Sequence, residues 1–225
     1  MSPELRRAVV AEFLGTALLL WAIVGSGIVV TSAGPAGNQL FVHALVVGLA
    51  LSVFILMFGP VSGAHFNPAV TLAATLLGHL PRARAGWYVT AQAVGAVAGT
   101  MLAHVTAAEP VVSVATRQRS GPALLVSEVA ATCVLVLLIF LLVRARRTVA
   151  TIAGAVGAYI AAAIVFTPST SFANPAVTAA RTLSDTFTGI APSSAPGFIA
   201  AQIVGALVAV ALVRCLTGAS IDAAA

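Results

Sequence analysis

The sequence predicts an all-α membrane protein: six transmembrane helices plus two re-entrant half-helices, related by an inverted repeat. Three observations predict it. Of 225 residues, 60% are hydrophobic and only 8% are charged. A soluble domain carries about 25% charged residues, so most of this surface has to face lipid. Six apolar stretches are each long enough to cross a hydrocarbon core of about 30 Å, which takes roughly 20 helical residues. Two shorter apolar pieces each begin at Asn-Pro-Ala, and the order of motifs in the first half of the chain recurs in the second.

The spans are read at about 8–31, 40–59, 84–106, 123–143, 148–167 and 196–216. The opening Leu5-Arg6-Arg7 and its apolar run resemble a signal peptide. The run is long enough to cross, however, and it carries Glu12, so it is read as the first span. The short pieces lie at about 67–77 and 174–183. Ten helical residues make about 15 Å, half a membrane, so neither piece crosses alone. Asn is a good N-cap and Pro suits the first helical position. A lone Asn-Pro therefore marks only a helix start, but two copies, each midway through an apolar half, mark a paired feature.

Residues 1–225 are read as a single transmembrane domain of two repeats, about 8–106 and 123–217. Ala11-Glu12-Phe13-Leu14-Gly15-Thr16 is echoed by Ser127-Glu128-Val129-Ala130-Ala131-Thr132. Asn67-Pro68-Ala69-Val70-Thr71 returns as Asn174-Pro175-Ala176-Val177-Thr178, and Ala91-Gln92-Ala93-Val94-Gly95-Ala96 as Ala201-Gln202-Ile203-Val204-Gly205-Ala206. Each half has three spans, an odd number, so the halves enter the membrane from opposite sides. The functional site is then expected at the midplane between them.

A net charge of +5 does not indicate a nucleic-acid partner, because the arginines sit between apolar runs rather than on one face. With the N-terminus in the cytoplasm, Arg6, Arg7, Arg82, Arg84, Arg144, Arg146, Arg147 and Arg214 fall inside, and Arg117 and Arg119 fall outside. This is the positive-inside pattern. It predicts an integral protein of the cell (inner) membrane with both termini cytoplasmic. Cys133 and Cys215 lie in or at the end of apolar segments without metal or redox spacing and are read as buried thiols. No cofactor and no metal site are expected.

Non-helical backbone at membrane depth is tolerated only where it packs in protein or lines a wet cavity. Inverted symmetry brings the two half-helix N-termini together, each with about half a positive charge from its dipole, while Asn67 and Asn174 can turn amide N–H groups into the lumen. Such a centre donates hydrogen bonds to an oxygen atom and repels cations. It suits water or a small uncharged solute.

Ser62-Gly63-Ala64-His65-Phe66-Asn67-Pro68-Ala69-Val70-Thr71, the second Asn-Pro-Ala and both glutamates resemble the aquaporin and aquaglyceroporin (major intrinsic protein) family along nearly the whole chain. The resemblance implies an aquaporin-like bundle, assembled as a homotetramer with one pore per subunit. It also implies a narrow selectivity filter. Counting from the Asn-Pro-Ala motifs puts its four positions at Val47, Ala162, Ser171 and Val177. The last is usually Arg, so this is an atypical, bacterial-like member lacking the filter Arg. Thr178 stands where glycerol facilitators commonly have Asp. A wider, more apolar and uncharged filter is expected, one that passes glycerol, urea or neutral metalloid hydroxides as well as water. Arg181, one turn beyond Val177, either substitutes for the missing charge or caps carbonyls near the half-helix end. The second reading is preferred.

Glu12 and Glu128 lie within spans, where an acid costs about 2.5–3.5 kcal/mol on insertion scales. Either they couple protons in a secondary carrier, or they hold the re-entrant loops by accepting backbone N–H groups. Their symmetric placement and the resemblance favour the structural role, with Gln92 and Gln202 as polar glue beside them. His65 is expected at the inner half of the pore and His43 at the outer vestibule, with His79 and His104 interfacial. Gly95, Gly99 and Gly205 are read as close helix contacts. A passive channel is the preferred reading. A proton-coupled carrier is the alternative, and a hydrolase using Ser62 or Ser171 with His65 lacks a supporting Ser-His motif. The chain is not expected to be an enzyme.

Overall fold

The computed structural model describes residues 1–32 and 35–218. The last residues of the predicted 1–225 domain lie outside them. Six long helices form: α1 (Pro3–Val29), α2 (Ala36–Ser62), then, after a half-helix α3 (Pro68–Leu76), α4 (Arg82–Thr106), α5 (Pro122–Arg144) and α6 (Val149–Phe166). A second half-helix α7 (Pro175–Ala180) continues into a 3-10 turn, Arg181–Leu183, and α8 (Ala195–Thr217) ends the bundle. All six long helices are apolar and long enough to span a membrane. Each predicted element is present, and most spans reach a few residues beyond the apolar runs because helices continue into the polar interface. One correction concerns the thiols: Cys133 is buried, but Cys215 faces outward.

Local chemistry sets the ends. Ser2 caps α1 through Leu5 N–H, and Thr148 caps α6 through Thr151 N–H. Pro occupies the first turn of α1, α3, α5, α7 and α8, where its missing N–H leaves nothing unsatisfied. Gly63, at φ 86°, closes α2 with a left-handed residue.

Packing follows the repeat. α1 lies along α4, and α5 along α8, while α2 and α6 pair with each other across the halves. Each half-helix packs against the last spans of both halves, α3 and α7 each touching α4 and α8. Small residues allow this approach. A Cβ on Gly95 or Gly99 would strike the backbone carbonyls of Phe13 or Ala17 in α1. A Cβ on Gly205 would strike that of Val129 in α5, the counterpart of Phe13. Gly48 and Gly157 meet where α2 crosses α6, and Ser52 Oγ donates across that crossing to Ala153 O at 3.0 Å. In lipid the hydrophobic effect does not drive helices together, so close van der Waals contact of this kind holds the bundle. α8 ends beside the C-terminus of α3, where Arg214 Nη2 donates to Leu76 O at 2.7 Å.

Gly99→Val should lower stability by about 1–3 kcal/mol through overpacking. Gly154→Val, where a new Cβ meets nothing within 4 Å, controls for β-branching and should change little. Thermal unfolding in detergent compares them.

Candidate functional site

The re-entrant segments are built alike. Before Asn67, Gly63, Ala64 and Phe66 have φ of 86°, 51° and 50°; before Asn174, Thr170, Ser171 and Ala173 have 62°, 45° and 47°. Left-handed backbone costs a non-Gly residue roughly 1–2 kcal/mol, so something must hold these two runs. The acids do. Glu12 Oε1 accepts Ser62 Oγ–H at 2.6 Å and His65 N–H at 2.9 Å, while Oε2 accepts Phe66 N–H at 2.7 Å and Gln92 Nε2 at 2.8 Å. Glu128 accepts Phe172 and Ala173 N–H, both at 2.9 Å, and Gln202 Nε2 at 2.6 Å. Gln92 and Gln202 reach on to Thr71 and Thr178 at 2.9 and 2.8 Å. Ser62 and Ser169 hydroxyls take the N–H groups of Ala64 and Ser171. Both carboxylates are fully buried.

The half-helix tips are tied to each other. Asn67 Oδ1 accepts Ala69 N–H at 2.8 Å and Asn174 Oδ1 accepts Ala176 N–H at 3.0 Å, each a side-chain N-cap. Asn67 Nδ2 donates to Ala173 O at 2.7 Å, and Asn174 Nδ2 to Phe66 O at 2.8 Å. The amides thus give one hydrogen to the opposite loop and keep one, which adds a latch to the expectation that they can turn N–H groups into the lumen.

A cavity runs past these tips. Its walls are stripes four residues apart: His43, Val47, Leu51 and Ile55 on α2; Val156, Ile160 and Ile164 on α6; Leu19 and Ile23 on α1; Leu135 and Ile139 on α5. Ala64, His65, Phe66, Asn67 and Val70 line it from one loop, Thr170 to Asn174 and Val177 from the other. An adjoining cavity shares Ile55, Ala64, His65, Val70, Ile139 and Val156 and extends to His79 and Ile152.

Of the four counted filter positions, Val47, Ser171 and Val177 line the passage. Ala162 does not. It is exposed on the outside of α6, in a groove with Phe41, Leu45 and Phe166. Two residues along a helix rotate a side chain to nearly the opposite face, so a count across the 167–173 loop missed the register. Ile160 and Ile164 take that wall. His65 lines the passage where the two cavities adjoin, with Nδ1 3.1 Å from Thr71 Oγ1 and its ring edge-on to Tyr88. His43 lines the other end, with Nδ1 2.8 Å from Ser26 Oγ. His79 stacks on Phe140. His104, expected at the interface, is instead buried, bonded to Ser184 Oγ at 2.9 Å and Val111 O at 3.0 Å.

Arg181 also departs from expectation. Its side chain does not cap α7. It lines the passage, donates Nε–H to Thr188 O and stacks 3.4 Å over the Phe172 ring centroid. Arg119, on the connection between α4 and α5, lies 5.0 Å from the same ring and donates to Gly189 O at 3.0 Å. Burial, then neighbouring Arg117, lowers its pKa to about 10, so it stays positive at neutral pH. The i, i+4 stripe Ile152, Val156, Ile160, Ile164 in an Ala-rich helix was the available signal for the missed wall.

The comparisons agree with this geometry. The family profile described as Major intrinsic protein matches residues 1–173. The chain belongs to the major intrinsic protein family. Among its relatives, aquaglyceroporin AqpS of Rhizobium meliloti (strain 1021) is 45% identical over 214 residues, 95% of this chain and 91% of that protein. Aquaporin-2 of Equus caballus is 45% identical over 98 residues, 44% of this chain and 87% of that sequence. The crystal structure of the aquaglyceroporin from Plasmodium falciparum superimposes with a TM-score of 0.77 at 22% identity, covering 95% of this chain and 97% of that one. That last likeness speaks to fold. Members of the major intrinsic protein family are membrane channels for water and small solutes, not enzymes.

Glu128→Gln keeps the shape but loses charge-assisted acceptance of two loop N–H groups. Bonds to charged groups contribute about 1.5–3 kcal/mol each, so a loss in that range is expected in chemical denaturation of the detergent-solubilised protein. Glu12→Gln should behave alike.

Proposed function

We propose that the chain is a passive channel for small uncharged solutes bulkier than water, such as glycerol, urea or neutral metalloid hydroxides, and for water itself. The single observation that carries the substrate reading is Val177 at the position usually held by Arg, with Val47 and Ile160 also lining that cavity. An uncharged apolar wall leaves room for a carbon-bearing solute, whereas Arg would narrow it and add fixed donors. Paired half-helix N-termini and the free amide hydrogens of Asn67 and Asn174 oppose cations at the centre. In this reading Val47, Ser171 and Val177 form the filter with Ile160 and Ile164 in place of Ala162. His65 and His43 line the two ends, and Glu12 and Glu128 support the loops.

Proton-coupled transport is disfavoured by the same bonds that fix the loops. Each carboxylate already accepts at both oxygens, and neither lines the cavity. The protein sits in the cell (inner) membrane with both termini cytoplasmic, following the arginine distribution. The chain is one domain of two repeats, at about 8–106 and 123–217, and assembles as a homotetramer with one passage per subunit, as the family resemblance implies.

Stopped-flow light scattering on proteoliposomes tests this directly. Glycerol or urea should enter faster than through protein-free liposomes, without accumulation against a gradient when a pH step is imposed. Uphill accumulation would establish a carrier instead. Val177→Arg should reduce solute entry at least about tenfold, a barrier increase of about 1.4 kcal/mol; unchanged entry of every solute would remove the filter assignment.

A further inference from the structure

The end of the passage marked by His43 and Arg181 holds polar groups that a channel for neutral solutes leaves unused. Arg181 is only 5% exposed. Its Nε is committed to Thr188 O and its plane to Phe172, yet neither Nη has a hydrogen-bond partner among the described residues. The acids near it are committed elsewhere. Asp185 accepts from Thr116 N–H at 2.8 Å and Thr116 Oγ1 at 3.0 Å, and Glu128 is saturated by Phe172, Ala173 and Gln202.

Two further buried groups face the same cavity. Among the described residues, Ser171 Oγ is buried without a partner, and His43 spends Nδ1 on Ser26 and leaves Nε2 without one. Ser171 and His43 are 5% and 4% exposed. Arg119 adds a second positive charge behind the Phe172 ring. A buried guanidinium without a counter-charge is costly to keep, and it is kept here rigidly, with its forked donors open. Such a fork matches the two oxygens of a carboxylate.

We propose that Arg181, Ser171 and His43 form a docking site for a small monovalent oxyanion of the carboxylate type, and that its occupant blocks the passage. Farther along lie Val47, Ile160 and Val177, whose side chains carry no donor. An anion held at Arg181 has to leave that charge and cross this bare stretch before it reaches the donors of Asn67 and Asn174, so it stays and occludes. Only the blocking half rests on the channel reading. Binding stands on its own.

Isothermal titration calorimetry of the full chain in detergent with sodium formate, at constant ionic strength in sodium chloride, tests the site. Saturable binding is expected, weakened at least tenfold in Arg181→Gln and severalfold in Ser171→Ala. No saturable heat from the unaltered chain, or equal affinity in Arg181→Gln, overturns the site. If Arg181→Gln does not fold, Ser171→Ala decides: reduced affinity supports the site and unchanged affinity overturns it. In proteoliposomes at pH 7, formate should slow glycerol entry through the unaltered chain. Formate binding without slowed entry overturns the blocking half. A chain that binds formate but passes no glycerol defeats the channel reading and leaves the site standing.

Discussion

Everything in the middle of this molecule depends on two buried carboxylates. A re-entrant loop in a bilayer exposes backbone N–H groups where no water can take them, and each unsatisfied group costs several kcal/mol. Glu12 and Glu128 accept those groups and so convert an otherwise forbidden piece of chain into a rigid one. The acids gain in turn. The loops' N–H groups, Gln92 and Gln202 give them the donors that offset their own desolvation. Neither partner is tenable at this depth alone, which is why the glutamate, the left-handed loop and the glutamine recur together in both halves.

Fixing the loops fixes the tips. With Phe66 and Ala173 held, their carbonyl oxygens stand where the opposite Asn amide can reach them. Two half-helices from opposite faces of the membrane are thereby latched at one point. Those latches consume half of the amide hydrogens and orient the rest, so the centre of the passage is preorganised rather than flexible. The long spans contribute walls. Gly48, Gly157, Gly95, Gly99 and Gly205 bring backbones into contact, and that contact sets the angle at which each apolar stripe faces inward.

Much of this was legible in the sequence because it is carried by local chemistry and by repetition. Asn-Pro-Ala at the start of a short apolar piece reads as a capped half-helix, and a glutamate recurring at the same place in each half reads as a loop support. The legible part stops where register depends on a loop. Ala162 was placed by counting back from Asn174, but the left-handed run at Thr170, Ser171 and Ala173 sets how far α6 stands from the tip, and no periodicity encodes that. The stripe of large residues at 152, 156, 160 and 164 encodes the inward face of α6 without any count. Arg181 was misjudged for a related reason. Its spacing puts it near Val177, but only the fold brings Phe172 and Thr188 beside it to hold its side chain in the passage.

The position of Arg181 also changes what the missing arginine at 177 means. An arginine on the wall at 177 would narrow the passage and charge it at one level. Here the two effects are separated along the axis, with a bare apolar wall at 177 and a held guanidinium one turn further on. In the proposed channel a solute meets the charge at Arg181, held by Thr188 O and Phe172, and the size limit at the apolar wall of Val47, Ile160 and Val177. In that channel the guanidinium opposes a cation, and it is also the group proposed to hold a small oxyanion.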